Sequence, residues 1–327
     1  MMAAFALPFF RTALLASLVL AGIHAYLGFH IVRRGVIFVD LALAQMAALG
    51  VALALVLNVH ENEHFTYALA LGMTFVGAAV FAWLRGQEQR NVPLEAFIGI
   101  VFATAQAAVF LILEKSPSGP EHLKETLAGS LFTVAPRHVL YTAILYAVIG
   151  TAHFLLRKPF FEITNDPKGA EARGRKLFWW DLAFYGMFGF VVTSSVQIAG
   201  VLLVFGFLVI PAVAGLMATQ RPGVALAIGW IFGFLGSLLG LLGSVQLDLP
   251  AAPSILVALT LLLAVLGAAL ALRKTQGRET APAASARPSR ERPGSVPHDG
   301  VAAAGRVAGV AQVERARRET AAVRSDE

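Results

Sequence analysis

Long apolar stretches alternate with short polar segments along the chain as far as residue 272. About nine of these stretches reach the ~20 residues that an α-helix needs to cross the hydrocarbon core of a bilayer. They lie near residues 8–29, 36–57, 65–84, 94–113, 138–156, 178–197, 199–218, 224–243 and 252–272. The pattern therefore predicts an all-α polytopic membrane protein with about eight or nine transmembrane helices.

The helix count depends on the sixth and seventh stretches, which meet at Ala199–Gly200. Pro211 interrupts the seventh stretch, and a proline inside a helix removes one backbone donor and frees a carbonyl group in the preceding turn. Broken membrane helices often line a cavity, and a packed kink is the alternative. We therefore expect a broken or re-entrant segment near Pro211, with eight spanning helices if one stretch does not cross.

Basic residues mark alternate connections between the stretches, and such residues concentrate on the cytosolic side of membrane proteins. Arg and Lys occur at 33–34, 85–90, 157–176, 221 and 273–274, whereas the connections 58–65 and 243–253 contain neither. Nine helices then place the N-terminus outside and the C-terminus in the cytosol.

The composition agrees with a membrane protein, because 57% of the residues are hydrophobic, only 14% are charged and the mean hydropathy is +0.71. The formal net charge of +6 lies in the connections and the tail, so it indicates topology rather than a nucleic-acid partner. The chain has no cysteine, so any metal ligand must be oxygen or nitrogen. We divide the chain into a transmembrane domain, 1–272, and a tail, 273–327, too poor in apolar residues to pack and therefore predicted to be disordered and cytosolic.

Glycines four residues apart recur in one late apolar stretch, as Gly229/Gly233 and Gly236/Gly240. Small residues at this spacing let helix backbones approach closely inside a membrane. The spacing predicts tight packing within the bundle or at a dimer face.

The stretch "GVIFVDLALAQMAALG" carries two polar residues, Asp40 and Gln45, in an apolar run. A charged side chain at mid-bilayer costs on the order of 2.5–3.5 kcal/mol on insertion scales, so such residues usually serve a function. One hypothesis places Asp40 and Gln45 in a translocation path, with Gln197 as a further polar group. The alternative is that Asp40 anchors the interface by pairing with Arg33 or Arg34.

An outer loop, "NVHENEHF", contains His60 and His64 four residues apart. On a helix these imidazoles would share one face, and imidazole and carboxylate suit zinc or manganese. A solvated loop is the alternative to this low-affinity metal site.

The longest basic connection contains "NDPKGAEARG". Asp166 and Pro167 indicate the start of a short helix through Ala170 and Gly174, whose small residues would leave a smooth face. The segment is either a docking helix for a cytosolic partner or a simple connection. The chain contains no G-x-x-x-x-G-K-[ST] motif, so it does not resemble a phosphate-loop ATPase.

Taken in order, four segments resemble the membrane-spanning permease subunit of bacterial ABC-type importers for zinc, manganese or iron. They are "RRGVIFVDLALAQMAALGVALA", "LAGSLFTVAPRHVL", "DPKGAEARG" and "GVLLVFGFLVIPAVAGLM". The resemblance implies a homodimer in the bacterial inner membrane, in contact with lipid, with two copies of a cytosolic ATP-binding subunit and an extracytoplasmic solute-binding protein. ATP then binds the partner subunit, this chain holds no cofactor, and the segment from Asp166 to Gly174 is the coupling helix.

The family pattern, an Asp followed four residues later by a His, is altered in this chain. Aligned on Gly50, the His position is Gln45 and the Asp position is Leu41, so Asp40 stands one residue early. Five residues at ~100° each leave Asp40 and Gln45 about 140° apart on a regular helix, which disfavours chelation by this pair. We predict the permease of an ATP-driven importer for a divalent metal or metal complex; the alternative is an ion-coupled secondary transporter, for which no internal repeat is evident.

Overall fold

The computed structural model describes residues 2–86, 92–114, 129 and 131–279 and contains only helices in these ranges. The helices are α1 Met2–Ala6, α2 Pro8–Arg34, α3 Val39–Val56, α4 Glu63–Gly86, α5 Leu94–Leu113, α6 Pro136–Leu155, α7 Arg157–Asn165, α8 Pro167–Ala172, α9 Leu177–Ala218, α10 Pro222–Leu247 and α11 Ala251–Glu279. Among the described residues, eight of these helices are long and apolar enough to cross a membrane. The prediction of an all-α polytopic membrane protein is confirmed.

Prolines begin four of the helices, at positions 8, 136, 167 and 222. This placement is favourable because the first helical N–H has no partner within the helix and the proline ring already has a helical φ angle. Gly35 ends α2 with a φ angle of 68°, a left-handed conformation that glycine adopts without steric cost.

The longest helix, α9, contains a break at Gly200. Its 42 residues would extend about 63 Å if straight, twice the ~30 Å of a hydrocarbon core. Gly200 has φ 74° and ψ 160°, outside the helical region, and separates a first half, α9a (177–199), from a second half, α9b (201–218). The sixth and seventh apolar stretches are therefore separate segments.

The two halves of α9 run in opposite directions. The first half is antiparallel to α2, because Arg34 contacts Asp181 and His24 contacts Ser195. The direction of α9b follows from glycine contacts with α10, which is antiparallel to both α9b and α2. Between α9b and α10, Gly215 lies against Ala225 and Pro211 lies against Gly229. Between α2 and α10, Ala25 lies against Gly229 and Ala21 lies against Gly233. α9b therefore runs parallel to α2, and the described chain forms nine segments of alternating direction.

The predicted break near Pro211 is wrong, because α9b continues through this residue. A proline in a membrane helix is tolerated when neighbouring helices accommodate the freed backbone groups. Gly229 allows this close approach, since a Cβ atom at that position would lie only 3.0 Å from the carbonyl oxygen of Pro211.

The glycine spacing in α10 serves packing within the chain. Gly229 and Gly233 lie against α2 and α9b, whereas Gly236 and Gly240 lie against Leu259 and Ile255 of α11. A Cβ atom at Gly240 would collide with the Cα atom of Ile255, so the backbones are in direct contact. The prediction of tight packing within the bundle is confirmed.

The bundle up to Thr275 forms one unit, with α3 near its centre and α11 at its periphery. Exposed apolar side chains on α11 form a surface that a bilayer would cover; they include Val257, Leu261, Val265 and Leu272. The helix α11 continues beyond the predicted boundary at 272 to Glu279. The rest of the predicted tail, 280–327, lies outside the described residues.

Candidate translocation path and cytoplasmic coupling element

A cavity of about 640 Å³ opens at the end of the bundle that the topology places outside the cell. The start of α4, the start of α6 and the last turns of α9a line it. Its polar lining includes His60, Glu63, His64, His138 and Gln197. The cavity therefore collects side chains that attract cations around one opening.

Of the two alternatives for His60 and His64, the helical pair is not formed. His60 precedes α4, which begins at Glu63, and Asn62 caps that helix by accepting a hydrogen bond from the N–H of Phe65 at 3.2 Å. His60 and His64 line the same cavity, but the described residues include no group of three or more His, Asp or Glu side chains placed to hold a metal ion. The cavity could attract a cation without holding it tightly.

A hydroxyl cluster lies next to this cavity, inside the bundle. The Tyr146 hydroxyl lies 2.6 Å from Ser195 Oγ and 3.2 Å from Ser194 Oγ, and Ser194 also lines the cavity. His24 Nε2 lies 3.2 Å from Ser195 Oγ, and its other ring nitrogen lies 2.7 Å from the Leu20 carbonyl oxygen. Sequence reasoning missed this cluster, although the polar run 193–195 inside an apolar stretch was the available signal.

Asp40 lies deeper in the bundle and is 1% exposed. Neither carboxylate oxygen has a hydrogen-bond partner among the residues that the structure describes. Tyr146 of the hydroxyl cluster is within electrostatic range of Asp40, with no hydrogen bond between them. Burial of an unpaired carboxylate is costly, so this position requires a functional explanation.

The anchoring hypothesis for Asp40 does not fit the geometry. Arg34 donates a hydrogen bond to Asp181 Oδ1 at 2.8 Å, and Arg33 donates one to Asn165 Oδ1 at 2.8 Å. Both arginines therefore bind other partners, and neither neutralises Asp40.

Gln45 is 2% exposed and lies on the same helix as Asp40. The five-residue step points the two side chains about 140° apart, yet both are buried because α3 is surrounded by other helices. The three predicted path residues thus occupy different levels: Gln197 lines the outer cavity, whereas Asp40 and Gln45 are enclosed within the bundle.

The cytoplasmic connection folds into two short helices, α7 and α8. The Asp166 side chain accepts a hydrogen bond from the Gly169 N–H at 2.9 Å, and Pro167 occupies the first position of α8. The prediction that Asp166 and Pro167 begin a helix is therefore confirmed.

The smooth face predicted for Ala170 and Gly174 is wrong. Ala170 is 0% exposed and points into the protein. Gly174 follows the end of α8 with a φ angle of 86°, which glycine permits, and its N–H bonds the Glu171 carbonyl at 2.8 Å. The outward surface of α8 is instead polar, with Lys168 and Glu171 exposed.

An exposed ion pair stabilises the junction of α7 and α8. The Arg173 Nε atom donates a hydrogen bond of 2.5 Å to Glu162, and Arg175 lies 3.3 Å from the other oxygen of this carboxylate. The hydrogen bond from Arg173 lowers the pKa of Glu162 below its ordinary value, with smaller contributions from the charges of both arginines. The pair holds the loop after α8 against the end of α7.

An outer cavity, a carboxylate buried without a hydrogen-bond partner among the described residues and an exposed short helix between α6 and α9 fit a multi-pass membrane permease. The chain belongs to the ABC 3 transport family, whose profile matches residues 6–269. The match includes every membrane-spanning helix except the last turns of α11, so the resemblance inferred from the four motifs is confirmed. ATP hydrolysis in this family belongs to a separate subunit.

Named relatives cover most of the chain. It is 23% identical over 257 residues to the manganese transport system membrane protein MntC of Listeria monocytogenes. The aligned region covers 78% of this chain and 88% of that protein. It is 26% identical over 246 residues to a "probable iron transport system membrane protein" of Haemophilus influenzae, with coverage of 73% and 86%. The fold is similar to that of PsaBC from Streptococcus pneumoniae, solved in complex with Fab, with a TM-score of 0.69, 20% identity and coverage of 81% and 95%.

Proposed function

We propose that the chain is the permease subunit of an ATP-driven importer that moves a divalent metal ion, or a complex of one, across the bacterial inner membrane. The family assignment supports the transport class, and the relatives named for manganese and iron support the cargo. The observation that carries the proposal is the buried Asp40 carboxylate, which has no counter-charge among the described residues. A passing cation would supply that charge.

The polar groups suggest a route for the cation. It enters the outer cavity beside His60, His64 and Gln197, and passes the hydroxyl cluster around Tyr146 to reach Asp40. The imidazoles near the opening raise the local concentration of metal without binding it tightly, since they do not form a three-ligand site.

The donor types favour manganese or ferrous iron over zinc as the cargo. Gln45 supplies an amide oxygen where an imidazole would favour zinc, and Asp40 supplies carboxylate oxygens. His24 contributes little, because both ring nitrogens face other partners. The two side chains point about 140° apart and act at separate points of the path, but both offer oxygen, which suits Mn²⁺.

The partners follow from the transport class. The ATP-binding subunit docks on the exposed face of α8, a solute-binding protein delivers cargo at the outer cavity, and two copies of this chain form the pore. ATP stays on the partner subunit, the permease itself holds no cofactor, and membrane lipid covers the apolar surface of α11.

The decisive experiment is uptake of radioactive Mn²⁺, Fe²⁺ and Zn²⁺ by proteoliposomes that contain the permease and its ATP-binding subunit. Asp40→Asn keeps the shape and removes the charge, so we expect it to abolish uptake while the complex still assembles. Asp248→Asn is the matched control, because Asp248 lies outside the candidate path and its φ angle of 53° is one that asparagine also adopts. Wild-type uptake of every metal by Asp40→Asn would refute the proposal.

A further inference from the structure

The cytoplasmic helix pair is tied to the end of α2 through Thr164, in the last turn of α7. The Thr164 hydroxyl accepts a hydrogen bond from Arg34 Nε at 3.0 Å and lies 2.9 Å from His30 Nδ1. The side chain is enclosed, with Thr164 only 5% exposed. One hydroxyl group therefore binds two side chains of a membrane-spanning helix.

Arg34 in turn connects three membrane-spanning helices. Its side chain is 0% exposed, and its Nη1 atom lies 2.8 Å from Asp181 Oδ1 at the start of α9a. The same carboxylate oxygen accepts from Arg85 of α4 at 2.9 Å, and the Arg34 guanidinium lies 3.9 Å from the centre of the Phe184 ring. Arg34 is thus fixed on several sides and has little freedom to reorient independently.

A short path along the backbone links this network to the candidate cation site. Thr164 lies three residues before Pro167, where α8 begins, and Arg34 is the last residue of α2. Asp40 follows Arg34 by six residues, in the first turn of α3. The intervening link is itself held, because the Phe38 N–H donates to Glu95 Oε1 at 3.0 Å.

We propose that Thr164 and Arg34 are positioning residues for transport, which convert movement of α7 and α8 into movement of the α2–α3 junction that carries Asp40. The proposal rests on the proposed function, since it assigns the cytoplasmic helix pair to an ATP-binding partner. Hydrogen-bond and salt-bridge networks can carry energetic coupling between sites, and the contacts between Thr164, Arg34 and Asp181 form one such continuous network.

Thr164→Val tests the proposal because valine keeps the shape of threonine and removes the hydroxyl. We expect ATP hydrolysis by the reconstituted complex to continue while Mn²⁺ uptake per ATP falls at least about fivefold, the lower range of coupling between distant sites. Thr164→Ser restores the hydroxyl and should restore the ratio. Thr151→Val is the matched control, because the exposed Thr151 hydroxyl bonds only the Ala147 carbonyl of its own helix, at 2.7 Å.

A second readout does not depend on the identity of the cargo. The chain contains no cysteine, so a single Tyr141→Cys substitution in the outer cavity provides a unique thiol for a membrane-impermeant maleimide. ATP should change the labelling rate in the otherwise wild-type complex and should not change it when Thr164→Val is added. If no metal enters the wild-type vesicles, the proposed function fails, but this comparison still decides the role of Thr164.

Two results would overturn the proposal. The first is a Thr164→Val complex with the wild-type ratio of uptake to hydrolysis and wild-type, ATP-dependent labelling. The second applies if Thr164→Val does not fold: Arg34→Lys keeps a positive charge for Asp181 but lacks the Nε–H that Arg34 donates to Thr164, and an unchanged ratio in that folded variant would show that this bond does not couple the helix pair to α2.

Discussion

The two buried aspartates of the bundle should respond in opposite directions to the same substitution. Asp40 has no hydrogen-bond partner among the described residues, whereas Asp181 is bonded to both Arg34 and Arg85. Asp40→Asn removes a charge that nothing compensates, so it should stabilise the protein. Asp181→Asn removes the counter-charge of two buried cations, so it should destabilise the protein.

The structure sets the expected change in the free energy of unfolding for each variant. An unsatisfied buried polar group costs about 1–3 kcal/mol, and an asparagine recovers only part of this because its amide is still polar, so we expect a gain of about 1 kcal/mol for Asp40→Asn. Breaking a buried ion pair costs about 3–5 kcal/mol. For Asp181→Asn we expect about 3 kcal/mol, at the lower end, because the amide oxygen can still accept one hydrogen bond from Arg34.

Thermal unfolding of the purified variants in detergent measures both effects, with Asp248→Asn as the neutral control. Saturating Mn²⁺ provides a second test, because a ligand at 100 times its Kd stabilises the folded state by about 2.7 kcal/mol. The metal should raise the midpoint of the wild-type protein and leave that of Asp40→Asn unchanged. If Asp40→Asn lowers the midpoint as much as Asp181→Asn does, Asp40 has a stabilising partner and the argument for the path fails.

Substitutions at three further positions test separate features. Gln45→His should shift uptake from Mn²⁺ toward Zn²⁺, because it replaces an amide oxygen with an imidazole nitrogen; competition between the two isotopes measures the change. Gly174→Ala should cost about 1–2 kcal/mol at a φ angle of 86°, with Gly174→Asn costing less, as thermal unfolding would show. Glu162→Gln should reduce the midpoint at neutral pH. Because folding lowers the pKa of Glu162, its carboxylate stabilises the folded state at pH values above its ordinary pKa. The difference in unfolding midpoint between the variant and the wild type should vanish as the pH falls through the pKa of Glu162 in the folded protein.

The apolar stretches predicted the helices well because each membrane-spanning helix satisfies its own backbone, so the signal is local. The start of α8 was predictable for the same reason, since Asp166 and Pro167 act within one turn. A break was predicted near Pro211, which carries the stronger local signal, but α9 breaks at Gly200, where the apolar pattern already divides the sixth and seventh stretches. A close approach of Gly129 to this residue is a contact that no local pattern reveals.

The role of a polar residue in an apolar stretch depends on partners that lie far along the chain. Asp40 is seven residues from Arg33, and sequence distance alone made these arginines its natural partners. The structure pairs Arg34 with Asp181 instead, 147 residues away, and joins Arg33 to Asn165, 132 residues away. Both long-range contacts depend on the packing of α7 and α9a against α2, and neither involves Asp40. Because its nearest basic neighbours in sequence are held elsewhere, we propose Asp40 as the carboxylate that an incoming cation would neutralise.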